Sequence, residues 1–376
     1  MIHKQHLRTV CFIYPFILFL WLLFSPALQA SEIPLADHQT VKDTNFRNDE
    51  DLVVENEFNA GKMIMEHVVD NHEWHIASIG NTHITVPLPV ILLYEGKIST
   101  FWSSKFHNPS HSYKGFKLEQ GKISRMENLK NPDSKVYDFS ITKTALAVLI
   151  SSLLLCWIFI SVANRYKKNP YQAPKGMQSL MEPLIIFIRD DIARNSIGEK
   201  NYEKYMPYLL TIFFFIFFNN LLGIVPIFPG GANVTGNIAI TMVMAVLTLI
   251  ITTFSGNKHY WIDILNTPGV PWWLKIPVPL MPIVELIGLI TKPFVLMVRL
   301  FANITAGHII ILGFVSLVFI FGALSVALGM GISVMSVAFI LFMDLLEILV
   351  AVIQAYVFTL LSALYFGLAT MEPEKH

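Results

Sequence analysis

The stretch PFVLMVRLFANITAGHIIILGF, residues 293–314, decides how this chain is read. One arginine, Arg299, stands in a long apolar run. Between Pro293 and Met343 the only other group that could carry charge is His308. A charged side chain at the centre of a bilayer costs about 2.5–3.5 kcal/mol on insertion scales, so one that is kept there faces a cavity, a partner or both. The alternative is a long side chain that snorkels back to the interface. Arg299 is badly placed for that, because it lies seven residues beyond Lys292, about 10 Å deeper along a helix.

The rest of the chain supports a membrane reading. Of 376 residues, 54% are hydrophobic and only 14% charged, whereas soluble domains are about a quarter charged. The apolar residues fall in runs of about 20 or more, the length that crosses a bilayer as a helix. Lys+Arg and Asp+Glu both number 27. That balance, with no basic patch interleaved with aromatics, gives no footing for nucleic acid.

Residues 1–30 read as a secretory signal peptide, with a retained first transmembrane helix as the competing reading: His3, Lys4, His6 and Arg8 precede the apolar core CFIYPFILFLWLLF, and SPALQA ends on Ala30. Of the two cysteines, Cys11 lies in that leader and Cys156 in a span, so the mature chain has no internal disulfide. Residues 31–140 are polar and form an external, periplasmic extension. Within it, His83 to Trp102 is rich in β-branched and aromatic residues with a turn at Glu95-Gly96, which predicts a small β-hairpin. His67, His72, His75 and His83 match no zinc spacing and read as ordinary histidines. No metal and no cofactor is expected.

A membrane domain, 141–376, follows with five to six helices. A first span at about 141–162 runs into Arg165, Lys167, Lys168 and Lys175, a basic flank that stays in the cytoplasm. MEPLIIFIRDDIARNSIG, residues 181–198, alternates apolar and charged positions and predicts an interfacial cytoplasmic helix. Spans follow at about 208–227 and 237–254. The loop SGNKHYWIDILNTPGVPWWLK then restores basic residues and tryptophans, as at a cytoplasmic interface. Two apolar stretches, 277–321 and 326–368, are each about twice the length of one perpendicular span. Each either contains a hairpin or is one steeply tilted helix. The C-terminus lies in the cytoplasm.

Polar spacing adds chemistry. Glu285, Lys292 and Arg299 recur every seven residues and share a helix face, interrupted by Pro293, with Asn303 one turn further on. His308, nine residues beyond Arg299, points to the opposite side at a level about 13 Å away. The two groups would therefore serve different compartments of one mechanism. In the last stretch, MDLLEILVAVIQAYVF places Asp344, Glu347 and Gln354 together, Glu347 and Gln354 on one face. Such a stripe reads as a hydrated path or proton relay, or as structural pairing, for example of Glu347 with His308. The two readings are compatible, because a histidine–carboxylate couple can hold helices together and pass protons.

RLFANITAGH, with LITKPFVLMV before it and DLLEILVAVIQAYVFTLLSALYFGLA after it, closely resembles the subunit a family of the F-type ATP synthase membrane sector. The resemblance covers roughly residues 140–370 and leaves 31–140 as an addition. It implies an all-α polytopic membrane protein whose two overlong stretches form a tilted helical hairpin along a ring of c subunits. It also implies b subunits of a peripheral stalk and the rest of the complex as partners, in an inner-membrane setting surrounded by lipid. By the same resemblance Arg299 matches the essential arginine facing the ring, Asn303 the asparagine one turn on, and Gln354 the glutamine opposite the arginine. His308 and Glu347 match an acid–histidine pair of the external half-channel, exchanged between helices relative to some members. Glu285 matches an acidic position toward the cytoplasmic half-channel. Asp344 is no general family feature and would add to the inlet. Gly223 and Phe228 stand where some members carry acids, and Asn220 is a candidate to line the entry there.

Two other readings compete. In a secondary transporter Arg299 would bind a small anion, but no convincing internal repeat accompanies it. In a membrane-embedded hydrolase His308 and the acids would be catalytic, but neither H-E-x-x-H nor G-x-S-x-G occurs in the spans.

Overall fold

The computed structural model describes residues 60–61, 64, 70–79, 82–106, 112–119, 122–125, 136–168, 172–225, 230–265 and 280–371. The leader 1–30, most of the polar segment up to 69, His67 and the Trp272-Trp273 stretch lie outside the described residues.

Among the described residues eight short strands precede the first long helix: β1 (Glu73–Ile79), β2 (Thr82–Pro87), β3 (Pro89–Tyr94), β4 (Lys97–Trp102), β5 (Ser112–Tyr113), β6 (Phe116–Glu119), β7 (Lys122–Arg125) and β8 (Tyr137–Asp138). They form three antiparallel sheets, ordered β1-β2, β4-β3-β8 and β5-β6-β7. The expected hairpin is β3–β4. Glu95 and Gly96 both take positive φ, 48° and 76°, the two-residue turn whose twist matches its strands. His83 does not belong to that hairpin; its strand β2 pairs back onto β1, with a bulge between His75 and Ala77. Val90, Leu92, Phe106, Phe116 and Ile123 make a small core of their own.

The β region is locked to the first span. Four residues separate the end of β8 from the start of α1 (Lys143–Lys168). Its first-turn amide of Thr144 donates to Asp70 Oδ1 at 3.0 Å, so a distant carboxylate serves as its N-cap. Burial pushes the Asp70 carboxyl up, against the hydrogen bonds from Thr144 and Thr142. His72 Nε2 meets Asp138 Oδ2 at 2.7 Å. Burial also acts to raise Asp138, but the hydrogen bond and charge of His72, with the bonds from Ser140, outweigh it and hold Asp138 below the ordinary carboxylate value. Trp74 is buried in the same cluster as Ala145 and Val148 of α1.

Among the described residues five helices are long and apolar enough to cross a membrane. Besides α1 these are α3 (Tyr202–Ile224), α4 (Ile238–Ser255), α6 (Leu280–Leu324) and α7 (Val326–Thr370), with α2 (Met177–Phe187) and α5 (Lys258–Leu265) between them. α3 is the most enclosed. Its aromatic residues Phe213, Phe214 and Tyr205 pack with Phe159 of α1 and Phe366 of α7. α7 meets them with small residues, Ala351, Ala355, Ser362 and Ala363, all buried.

α2 runs on through a π-helical turn, Ile188–Arg194, into Asn195–Ile197. This is the segment read as interfacial. Ile188 and Ile192 are fully buried in the main core, Asp190 pairs with Arg189 and Arg194 on the outer side, and Leu180, Ile186 and Phe187 stay exposed. A Cβ on Gly367 would lie 2.0 Å from the Ser196 carbonyl oxygen, so only glycine lets α7 pass this corner.

The two overlong stretches resolve to one helix each. α6 and α7 both have 45 residues, about 67 Å at 1.5 Å per residue. A hydrocarbon core of about 30 Å is less than half of that, so the pair lies obliquely. They are joined through Ser325 alone, and the hairpin closes where Gly329 packs on Gly322, a Cβ there falling 2.7 Å from the Gly322 Cα. Pro293 sits inside α6 without ending it.

Candidate functional site

The hairpin carries the polar residues. α6 buries Leu296, Leu300 and Ile304 at helical spacing and holds Arg299, Asn303 and His308 between them. Asp344 and the buried Glu347 and Gln354 stand on the facing helix α7.

The tightest contact across the hairpin is His308 Nδ1 to Glu347 Oε1, 2.6 Å. Glu347 is only 5% exposed and His308 18%, which is too little water to solvate a lone carboxylate, so the imidazole is its compensating partner. Neither atom is aligned as an ordinary hydrogen bond; the pair is a close polar contact. The contact needs Gly307, because a Cβ there would lie 3.1 Å from Glu347 Oε1 and 3.4 Å from its Cδ. Asp344, one turn before Glu347 and half-buried, remains within electrostatic reach of both partners.

The other ring nitrogen of His308 turns toward α3. A Cβ on Gly223 would stand 3.9 Å from His308 Nε2, so glycine at this position keeps that edge of the ring open. Nearby in sequence, Asn220 accepts from Thr235, and Asn219 donates to the Phe215 carbonyl at 2.8 Å. Asn219 Oδ1, Asn220 Nδ2 and Asn233 Nδ2 are buried without protein partners. Buried polar atoms of this kind are normally satisfied by water, and water held in an apolar bundle is suited to carrying protons.

Arg299 is separate from this group. Among the described residues no carboxylate forms an ion pair with it, and its Nε is buried without a hydrogen-bond partner. It lies within electrostatic reach of Tyr365 on α7. Tyr365 in turn lines a cavity of about 20 Å³ with Lys292, Thr248, Thr252 and Tyr260, room for about one water. Lys292 Nζ sits 5.9 Å from the Tyr365 ring centre. Glu285, half-buried, lies near Tyr260 on α5, whose hydroxyl is pushed up by burial and by that carboxylate. The polar groups thus fall into two sets on opposite sides of Arg299. The first runs through His308, Glu347 and Asn220, and the second through Lys292, Tyr365 and Glu285. Sequence spacing pointed to the first set but passed over Tyr365 and Tyr260; only their convergence with Lys292 from three helices marks them. No group of His, Cys, Asp and Glu among the described residues could hold a metal.

A multi-span helical bundle with a long oblique hairpin, carrying a lone arginine between two polar sets, defines an ion-conducting membrane subunit rather than an enzyme. The comparisons agree. A family model described as "ATP synthase A chain" matches residues 145–367. The chain is 46% identical over 240 residues to "ATP synthase subunit a" of Chloroherpeton thalassium, covering 62% of this chain and 67% of that protein. It is 48% identical over 238 residues to "ATP synthase subunit a 2" of Prosthecochloris aestuarii, covering 62% and 70%. With "ATP synthase subunit a" of Myxococcus xanthus it shares 39% over 244 residues, covering 64% and 76%. A second model, a domain of unknown function (DUF8433), matches residues 63–141.

The chain belongs to the ATP synthase A chain family, the proton-translocating, non-catalytic subunits of the membrane sector. It is a multi-pass protein of the bacterial plasma membrane.

Proposed function

We propose that the chain translocates protons through two offset half-channels that meet a ring of c subunits at Arg299. A proton enters from outside along Asn220, His308 and Glu347, with Asp344 beside them, and passes to an ionised carboxylate on the ring. The neutralised carboxyl rotates into lipid at low cost, where the ionised form would be expensive. On return it releases its proton toward the cytoplasm past Tyr365, Lys292 and Glu285. Arg299 favours the ionised ring carboxylate on approach and repels protons that would cross directly between the half-channels. Arginine suits this because it keeps its proton at working pH, where a buried lysine can lose one. Asn303 and Gln354 flank the arginine and hold its surroundings polar. The membrane potential contributes about 2.3 kcal/mol per charge per 100 mV.

The observation that carries this reading is the division of polar groups into two sets with an unpaired arginine between them. The partners that complete it are the c-ring and the b subunits of the peripheral stalk. Residues 1–30 act as a cleaved signal, 31–140 lie in the periplasm and 141–376 form the membrane domain with a cytoplasmic C-terminus in the inner membrane. The test is ATP-driven acidification of inverted vesicles, comparing wild type with Arg299→Ala at matched assembly. Loss of pumping in an assembled complex supports the barrier role. Unchanged pumping overturns it.

A further inference from the structure

The β4-β3-β8 sheet has two unlike faces. Successive strand residues point to opposite sides, and cross-strand partners share a side. One side carries Val90 and Leu92, both fully buried. On the other, Trp102 pairs with Pro89, and Ile98 and Tyr137 both pair with Leu93. Phe139, two residues past Tyr137, donates its amide to the Ile91 carbonyl at 2.8 Å. This second face is apolar and open: Ile98 is 71% exposed, Trp102 58%, Tyr137 55% and Phe139 45%. Thr100, the partner of Ile91, is a polar member, and among the described residues no charged one stands on it. A soluble domain does not leave such a surface to water without cause.

We propose that this face rests on the lipid surface, in the interfacial layer around the first span. Three observations commit it to lipid. The sheet is tethered at short range: the Ile141 amide donates to the Pro89 carbonyl at 3.2 Å and the Lys143 amide to the Asn71 carbonyl at 2.9 Å. Lys143 is the first residue of α1, so the Pro89–Trp102 end of the sheet is fixed within two residues of the span. The residue types are also those of a membrane interface, where tryptophan and tyrosine place a ring in the apolar boundary and a polar tip at the headgroups. Finally, the adjoining span exposes an apolar stripe of its own, Leu149, Leu153, Trp157 and Ile160, so the helix to which the sheet is tethered is itself a lipid-facing element. Headgroup layers are about 5–8 Å deep on each side of the hydrocarbon. The Ile98–Tyr137 end lies about 13 Å of strand from Ile141, so the sheet must lean on the bilayer for all four side chains to reach it. The β region is then a foot that fixes the pitch of α1, and with it the level of the bundle in the membrane.

The test uses the assembled complex, cleared of other reactive thiols by Cys156→Ser and equivalent changes, in nanodiscs of phosphatidylethanolamine and phosphatidylglycerol. An environment-sensitive fluorophore is placed at Ile98→Cys, the far end of the face, and at Ser124→Cys, an exposed position on β7, as reference. Both sites are on the surface, so folding is preserved. Nitroxide carried on shallow lipid positions is expected to quench the Ile98 label about threefold more than the Ser124 label, and aqueous iodide to show the reverse order. Iodide reaching both labels equally puts the face in water and overturns the proposal. Shielding of the Ile98 label from both quenchers also overturns it, in favour of a protein cover.

Discussion

Gly307 sets the room for the His308–Glu347 contact in the proposed inlet. An added Cβ would stand 3.1 Å from Glu347 Oε1, where ordinary contact begins near 3.4 Å. In Gly307→Ala the carboxylate must therefore retreat by about 0.3 Å, stretching its 2.6 Å contact with His308 to about 2.9 Å. For a protonated imidazole facing an ionised carboxylate at an effective dielectric of about 20, the attraction falls from about 6.4 to about 5.7 kcal/mol. The loss of about 0.7 kcal/mol corresponds to about a threefold slower proton step. Gly307→Val adds two methyl groups and evicts the carboxylate. Breaking a buried pair in this way costs about 3–5 kcal/mol, or at least a hundredfold. Gly313→Ala is the matched control, since no atom of this chain comes within 4 Å of its added Cβ. The assay is the initial rate of ATP-driven quenching of a pH-sensitive dye in inverted vesicles, normalised to assembled complex. A graded series, control then alanine then valine, is expected. Full pumping by assembled Gly307→Val would refute the reasoning, because the His308–Glu347 contact could then not lie on the proton's route.

Three further predictions concern other parts of the molecule. Glu347→Gln or His308→Ala alone should cut pumping by at least about tenfold, while the exchange His308→Glu with Glu347→His should restore most of it; a double variant no better than the worse single one would show that the two do not act as a pair. Gly367→Ala should lower the thermal stability of the subunit by several degrees, the overpacking against Ser196 being worth about 1–3 kcal/mol, and an unchanged melting point would mean that this corner yields freely. Because Asp138 is held below 3.8 in the folded protein, its contribution is fully present above that value and is lost as the pH falls beneath it. Hydrogen exchange at β8 should report this loss, and Asp138→Asn should abolish its pH dependence; parallel curves for both proteins would remove Asp138 as the cause.

The membrane half was largely readable because its signals are long and redundant. Runs of apolar residues survive errors of a few positions, and the described spans differ from the expected ones mostly by a few residues at their ends. Arg299, His308 and Glu347 stood out since ionisable groups are rare in such runs. Whether 277–321 held one helix or two could not be decided, because length alone fits both and Pro293 does not break this helix. In 181–198 periodicity showed that one face is buried, but not that Ile188 and Ile192 on it meet the protein core. Before residue 140 the strands are two to seven residues long, too short for alternation to rise above chance. β1 and β2 flank Gly80-Asn81, a turn pair that could have revealed their hairpin. The duty of Gly307 was invisible in the same way, since the group it makes room for stands forty residues away in sequence on another helix.

The N-cap of α1 has a bearing on how the subunit is made. Asp70 precedes Thr144 by 74 residues, and it is carried to that helix by the segment that leads into β1. A span threaded into the bilayer at synthesis therefore arrives with its leading amides still open. Its first turn is finished only when Asp70 caps it and Trp74 is buried. Strand pairing among distant segments is slower than helix formation, so the time at which α1 becomes a finished docking surface is set by the β region.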